Sequence, residues 1–259
     1  MNLHEVLRNA FTVEYIMTPR ERLTTASDKP TLQSNPCYDV IPKTEGEQIV
    51  GLWVLREGDY VPEPITEEWI VAHTTSIHEL IRLFSNSNGK PAYLVVNGAK
   101  VDGIVSRADL NKVACRTYLF TLIGELEYWL GALIRNHLPE EKVPELLSEG
   151  RRKKIQKRYR QMQSENADLD YIDTLMFGDI TEVVTKTPEL WRQLGFLCEH
   201  QAQQELNGIE DLRNYVAHPI RRRCPVIKAE QVFQRIEQIE YLLKKIAERL
   251  TEANDTSNP

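Results

Sequence analysis

The feature that most constrains this chain is a change of hydrophobic period near residue 115. Before it, apolar residues come in short strand-like runs, Ile49 to Leu55, Trp69 to Ala72, Ala92 to Val96 and Val101 to Val105, and most of the prolines lie here. After it, Leu119, Leu122, Ile123, Leu126, Leu130, Leu133 and Ile134 fall on one helical face. Near the C-terminus Val232, Ile236, Ile239, Leu243, Ile246 and Leu250 alternate steps of four and three, a narrow seam suited to a bundle. The expected fold class is therefore α+β, an N-terminal α/β part over 1–115 followed by an all-α bundle over 116–250. A polar, disordered tail is expected over 251–259. At 259 residues the chain is comfortable for two domains.

Several classes are excluded by composition and pattern. Hydrophobic residues at 41% and charged residues at 27% fit a globular chain rather than a disordered one. The longest apolar stretch, Tyr118 to Leu133, carries Glu125 and Glu127, so no membrane span is expected. The N-terminus lacks the basic and apolar regions of a secretory signal. Cysteines at 37, 115, 198 and 224 form no CxxC pair, which suits a reducing compartment, and the expected location is the cytoplasm. Cys198 and His200 have no second pair of metal-ligand type, so no metal site is expected. The net charge of −6 gives no global reason to bind nucleic acid, and no DNA partner is expected. The cations are nevertheless clustered, with seven in the ten residues from Arg151 to Arg160 and a second run at Arg221, Arg222 and Arg223. A solvated helix face is the plainer reading of the first run.

Within the first half, Ser76-Ile-His-Glu79 reads as a capping box opening a helix that carries Ile77, Leu80, Ile81 and Phe84. Two strands follow, joined at Asn97-Gly98, a pair suited to a tight hairpin. The second strand runs through Gly103-Ile-Val-Ser106-Arg-Ala-Asp109 into another helix. Ser106 and the N–H groups after it sit at a helix start, where phosphate is favoured. Arg107 can add a charge-assisted bond, and Asp109 can accept ribose hydroxyls. The same four residues also fit a simple helix cap. This order of elements, with Gly103, Ser106 and Asp109, resembles a cystathionine-β-synthase (CBS) domain, with the second copy of a pair at about 65–115. The resemblance implies an adenine nucleotide ligand such as AMP, ADP or ATP, held by Gly103, Ser106, Arg107 and Asp109. Val13 to Pro19 and Ile49 to Leu55 resemble a worn first copy. There Val54 stands in place of the Ser or Thr after Gly51, and Glu57 in place of the Asp. Pro30 and Pro36 disfavour its helix, and at most one good nucleotide site is expected.

In the helical half the informative segment is Arg213-Asn-Tyr-Val-Ala-His218, after an apolar face of Ile209, Leu212 and Val216. Asn214 and His218 share the polar side, while Arg213 lies about 140° from His218 at roughly 100° per residue. Pro219 pushes His218 out of the helical region and places its ring at a helix end. An arginine followed after four residues by a histidine, with a polar residue after the arginine, resembles the motif of HEPN domains, helical bundles that include metal-independent ribonucleases. The resemblance spans about 116–250 and includes Phe177-Gly-Asp-Ile180. It implies RNA as substrate, with His218 moving protons, Arg213 stabilising the phosphorane and Asn214 binding phosphate or holding the imidazole. Catalysis then requires no cofactor, and Arg221, Arg222 and Arg223 guide the RNA backbone. In HEPN toxins silenced by tyrosine adenylylation a tyrosine lies two residues past the histidine. Here that position is Ile220.

Together the two resemblances imply a homodimeric, nucleotide-responsive, metal-independent ribonuclease, a CBS-like sensor controlling a HEPN effector. The alternative is a non-catalytic module that senses a ligand and binds protein or RNA. In that case Arg213 pairs with a neighbouring acid such as Glu210, and His218 caps the helix.

Overall fold

The computed structural model of the chain describes residues 3–32, 38–86, 90–164, 168–217 and 228–256, the side chains of 3–5 and 252–256 excepted. The fold is α+β and divides into two compact units. One comprises Met1–Tyr118 with Lys228–Phe233, the other Leu119–Ile227 with Gln234–Pro259.

The first unit holds every described strand. After α1 (Leu3–Ala10) come the short β1 (Thr18–Pro19), then β2 (Val40–Glu45), β3 (Gln48–Arg56), β4 (Asp59–Glu63) and β5 (Ile70–Ala72). They are followed by α2 (Ile77–Asn86), β6 (Ala92–Asn97) and β7 (Lys100–Ser106). One sheet has the order β1-β7-β6-β5 and the other β2-β3-β4. The strand, helix, strand, strand reading of 70–106 matches the structure. The Ser76 hydroxyl accepts the Glu79 N–H at 3.1 Å and opens α2, which returns the chain to lay β6 parallel to β5. Asn97 pairs with Lys100, and Gly98 adopts φ +60° in the hairpin turn.

The apolar faces of both sheets meet in one core, with Val40, Leu52 and Val54 from the second sheet against Trp69, Ala92 and Leu94. From α2, Ile77, Leu80, Ile81 and Phe84 are fully buried, and the Phe84 ring lies 5.1 Å from that of Tyr93.

The worn first copy departs further from the expected pattern than its substitutions indicate. Ile49 to Leu55, expected as the closing hairpin strand, lies in β3, which then turns at Glu57 and Gly58 and pairs with β4, Arg56 opposite Asp59. Both turn residues have positive φ, 50° and 84°, which is the geometry a two-residue hairpin demands.

The second unit is helical. It takes α3 (Val113–His137) from Leu119 onward, then α4 (Val143–Leu146), α5 (Glu149–Gln163), α6 (Phe177–Thr185), α7 (Pro188–Gln193), α8 (Glu199–Ala217) and most of α9 (Ala229–Thr256). All seven apolar residues expected on the α3 face are buried. In α9 the buried seam of this unit is Ile236, Ile239, Leu242 and Ile246, so Leu242 rather than Leu243 faces inward. The helix also runs on to Thr256, through much of the segment expected as a loose tail. Around them α6 packs against α7 and α8. No helix among the described residues is long and apolar enough to cross a membrane.

Gly103 shows what a single glycine contributes to this architecture. It pairs with Pro19 of β1, an edge strand, which is where a sheet tolerates a proline. A Cβ at Gly103 would lie 2.4 Å from the Thr18 carbonyl oxygen, a backbone atom with little room to give. Gly103→Ala should therefore push β1 off β7, an overpacking effect of about 1–3 kcal/mol. It is read as a lower urea midpoint, and an unchanged midpoint would show that β1 is not held at this distance.

Candidate functional site

In the first unit a cavity of about 350 Å³ lies beside the start of the helical turn Arg107–Asn111. Its wall includes Thr18, Arg22, Tyr38, Asp39, Ser106 and Asp109. Asp109 is buried, and both carboxylate oxygens are engaged. Oδ2 accepts the Ser106 N–H at 2.7 Å and its hydroxyl at 2.8 Å, while Oδ1 pairs with Lys112 Nζ at 2.8 Å. Lys112 also donates to the Ile16 carbonyl at 2.6 Å, tying the segment before β1 to this turn. Ser106 and Asp109 thus form the helix cap that their spacing also fitted, and the cap itself walls a cavity.

Two further contacts set the opposite wall. The Tyr60 hydroxyl donates to the Tyr38 carbonyl at 2.6 Å, and the Leu55 N–H donates to the Asp39 carbonyl at 2.8 Å. The β3–β4 hairpin therefore holds Tyr38 and Asp39 in place.

Arg107, expected to bind phosphate, also lines the cavity, but its donors are directed elsewhere. Nε donates to the Lys90 carbonyl at 2.9 Å, Nη2 to the Phe84 carbonyl at 2.6 Å, and Nη1 to Glu230 Oε1 at 2.9 Å. That last bond is the leading cause holding the Glu230 carboxyl below its ordinary range. The exposed cation of the wall is Arg22, which has no ion pair among the described residues. Sequence reasoning missed Arg22, which lies outside the motif and reaches the site only because β1 pairs with β7.

A larger cavity of about 990 Å³ in the same unit is lined by Arg56, Trp69, Lys90 and Arg107, among others. Its cations are already partnered. Arg56 pairs with Glu63 at 2.6 Å, and Lys90 pairs with Glu68 at 3.1 Å while its ammonium lies 4.9 Å from the Trp69 ring centre. Of the first copy's motif positions, Gly51 lies against the Glu63 carbonyl, Val54 is in the core, and Glu57 occupies the hairpin turn.

In the second unit Arg213 and Asn214 of α8 line a cavity of about 410 Å³ together with Arg151, Lys154 and Arg158 of α5. The start of α6 supplies Met176, Phe177, Gly178 and Asp179, and Glu210 completes the charged set. The four cations outnumber the two lining carboxylates, Asp179 and Glu210. Asp179 accepts the Met176 N–H at 3.0 Å and pairs with Arg151 at 2.8 Å. The absence of a side chain at Gly178 makes room, since a Cβ there would lie 2.5 Å from Glu210 Oε1 and 2.9 Å from Arg151 Nη1. Arg158 donates to the Thr174 carbonyl. Arg213 Nε is buried without a hydrogen-bond partner. His218 and Arg221 to Arg223 lie outside the described residues. The α5 residues were legible as cations three and four apart, a spacing that aligns Arg151, Lys154 and Arg158 on one face. Their meeting with Arg213 was not.

Half-buried Glu127 of α3 stands beside Arg213. Burial pushes its carboxyl above the ordinary range, opposed by the Arg213 charge and a bond from the Phe177 N–H, and reinforced by Asp179 and Glu210. The folded chain therefore keeps this proton at pH values where the unfolded chain has lost it. Stability falls as pH rises from the ordinary carboxylate range through the raised folded value, and stays lowered above it. The melting temperature of Glu127→Gln relative to wild type should therefore rise with pH across that window. A pH-independent difference would show that Glu127 ionises in the folded protein as it does in the unfolded chain.

No family model matches this chain, and no curated protein matches it. It is similar to two solved structures of the CBS domain of the bacterial CNNM/CorC family Mg2+ transporter, one in complex with an inhibitor and one with ATP. Each is 17% identical with a TM-score of 0.32, covering 42% of this chain and 78% and 89% of theirs, respectively.

Proposed function

We propose that the protein is a nucleotide-responsive, metal-independent ribonuclease whose helical unit cleaves RNA and whose CBS-like unit binds an adenine nucleotide. The observation that carries the effector half is the cavity where Arg213 and Asn214 stand among Arg151, Lys154 and Arg158. In that reaction the 2′-hydroxyl attacks the adjacent phosphorus, its proton passes to a base, and the 5′-oxygen leaves with a proton. The products are a 2′,3′-cyclic phosphate and a 5′-hydroxyl. Arg213 supplies a forked donor array to the phosphorane oxygens, and its unpartnered Nε is in keeping with that role. Asn214 bonds phosphate or orients the imidazole. His218 moves the protons, a role that rests on the sequence motif. A homodimer, in which two such motifs face one another, completes the reading.

For the sensor half, Arg22 takes the phosphate role first expected of Arg107, while Ser106 and Asp109 offer polar groups to a ribose. The ligand acts on cleavage by favouring one arrangement of the dimer over another.

Cleavage of RNA in EDTA by wild type, His218→Ala and Arg213→Ala tests the effector. The expected loss is about 10²–10⁴-fold for the histidine and about 10²–10³-fold for the arginine, with cyclic-phosphate ends from wild type. Binding of RNA without cleavage by wild type would leave the non-catalytic reading in its place. That reading has an observation of its own, because Asp179 already pairs with one of the cavity's arginines.

Calorimetry with ATP and AMP tests the sensor. Arg22→Ala should weaken binding by about 1.5–3 kcal/mol, the range for a hydrogen bond to a charged group. Equal affinity for wild type and variant would remove Arg22 from the site.

A further inference from the structure

The helix α5 is unlike the other long helices of the second unit, since only Ile155 of its residues is buried. At about 100° per residue, Arg160, Lys153, Lys157, Lys154, Arg158 and Arg151 follow one another over about half its circumference. No acid and no large apolar side chain falls within that arc. Like charges three and four residues apart destabilise a helix, and α5 offsets this only in part. Arg151 pairs with Asp179 and Lys153 with Glu149, whereas Lys154, Lys157 and Arg160 have no ion pair among the described residues.

We propose that Lys154, Lys157 and Arg160 form a track for the sugar-phosphate backbone of RNA that leads into the Arg213 cavity. Lys154 lines that cavity, and each step of three residues advances about 4.5 Å along the helix. Lys154, Lys157 and Arg160 thus carry unpaired positive charge from the wall of the site to positions beyond it, within an arc whose Arg151 and Lys153 are already paired. A protein partner is the weaker fit, because specific protein interfaces are centred on apolar and aromatic anchors. This face presents none, whereas a phosphate backbone is held by charge alone. The choice of RNA as the polyanion rests on the ribonuclease reading.

The test uses the full chain carrying His218→Ala, so that binding is measured without cleavage. A fluorescent single-stranded oligoribonucleotide is titrated at several salt concentrations into this parent, into a K157E/R160E version and into a K157Q/R160Q version. Each lost phosphate contact lowers the slope of log affinity against log salt by about 0.7 for a single strand, so the Gln pair should lower it by about 1.4. The Glu pair should weaken binding further. Circular dichroism is expected to show both variants folded, since each removes like-charge repulsion from α5. A slope and affinity equal to the parent's in the folded Gln variant would overturn the proposal. So would a polyglutamate chain that binds the parent as tightly as RNA and loses affinity in the same variants. Loss of slope in the variants with no cleavage by wild type would refute the ribonuclease reading and leave the track standing. Cleavage by wild type with an unchanged slope would do the reverse.

Discussion

Burying a carboxylate costs free energy unless its oxygens find partners, and both cavities of interest are organised by meeting that demand at one aspartate each. Asp109 and Asp179 are each the third residue of a helical turn, and each accepts the backbone N–H three residues earlier through Oδ2. In each case Oδ1 holds a basic side chain, Lys112 in the first unit and Arg151 in the second. The cation then reaches further, Lys112 to the Ile16 carbonyl and Arg151 to Glu182 at 3.4 Å. One cap thus fixes the start of a helical turn and one wall of a cavity at once. Reading a Ser-x-x-Asp spacing as either a cap or a ligand site sets apart two roles that the same residues fill.

Much of the fold was legible because it follows local rules. The strands at 92–96 and 101–105 have the apolar runs and the Asn-Gly turn of a hairpin, and the faces of α3 and α8 have helical spacing. What was not legible depends on partners distant in sequence. The backbone at Glu57 takes a positive φ that its side chain gives no reason to expect, and only Gly58 hints at the turn. With that turn the first copy becomes a three-stranded meander, whose Tyr60 then supports the cavity wall. Arg107 stood in the right place in the motif, but its donors face the carbonyls of Lys90 and Phe84, whose positions depend on where α2 ends. The three-and-four spacing of the α5 cations was visible, and what they face was not.

Charge in the second unit's cavity is a matter of local balance. Asp179 and Glu210 neutralise part of it, and Glu127 stands beside Arg213 with a carboxyl that burial makes reluctant to ionise. A neutral Glu127 leaves more of the Arg213 charge to act on an anion, whereas an ionised one competes for it. The acids therefore set how much positive potential the cavity presents, and the net charge of −6 for the whole chain says little about this site.

The two cavities of the first unit show why volume is a poor guide to binding. The larger, at about 990 Å³, has three cations in its wall, yet each is already satisfied by a carboxylate or by backbone carbonyls. An anion entering it must displace those partners and leave them unpaired, which cancels much of the gain from a new charge-assisted bond. The smaller, at about 350 Å³, presents Arg22 without an ion pair among the described residues. It also has a carboxylate and a hydroxyl fixed by their own cap before any ligand arrives. Preorganised groups lose little freedom on binding, and an unpaired cation gives up only its water. On both counts the smaller cavity is the better suited of the two to an anionic ligand. Its wall joins Thr18, Arg22, Tyr38 and Asp39 to Ser106 and Asp109, so neither stretch of the sequence builds it alone.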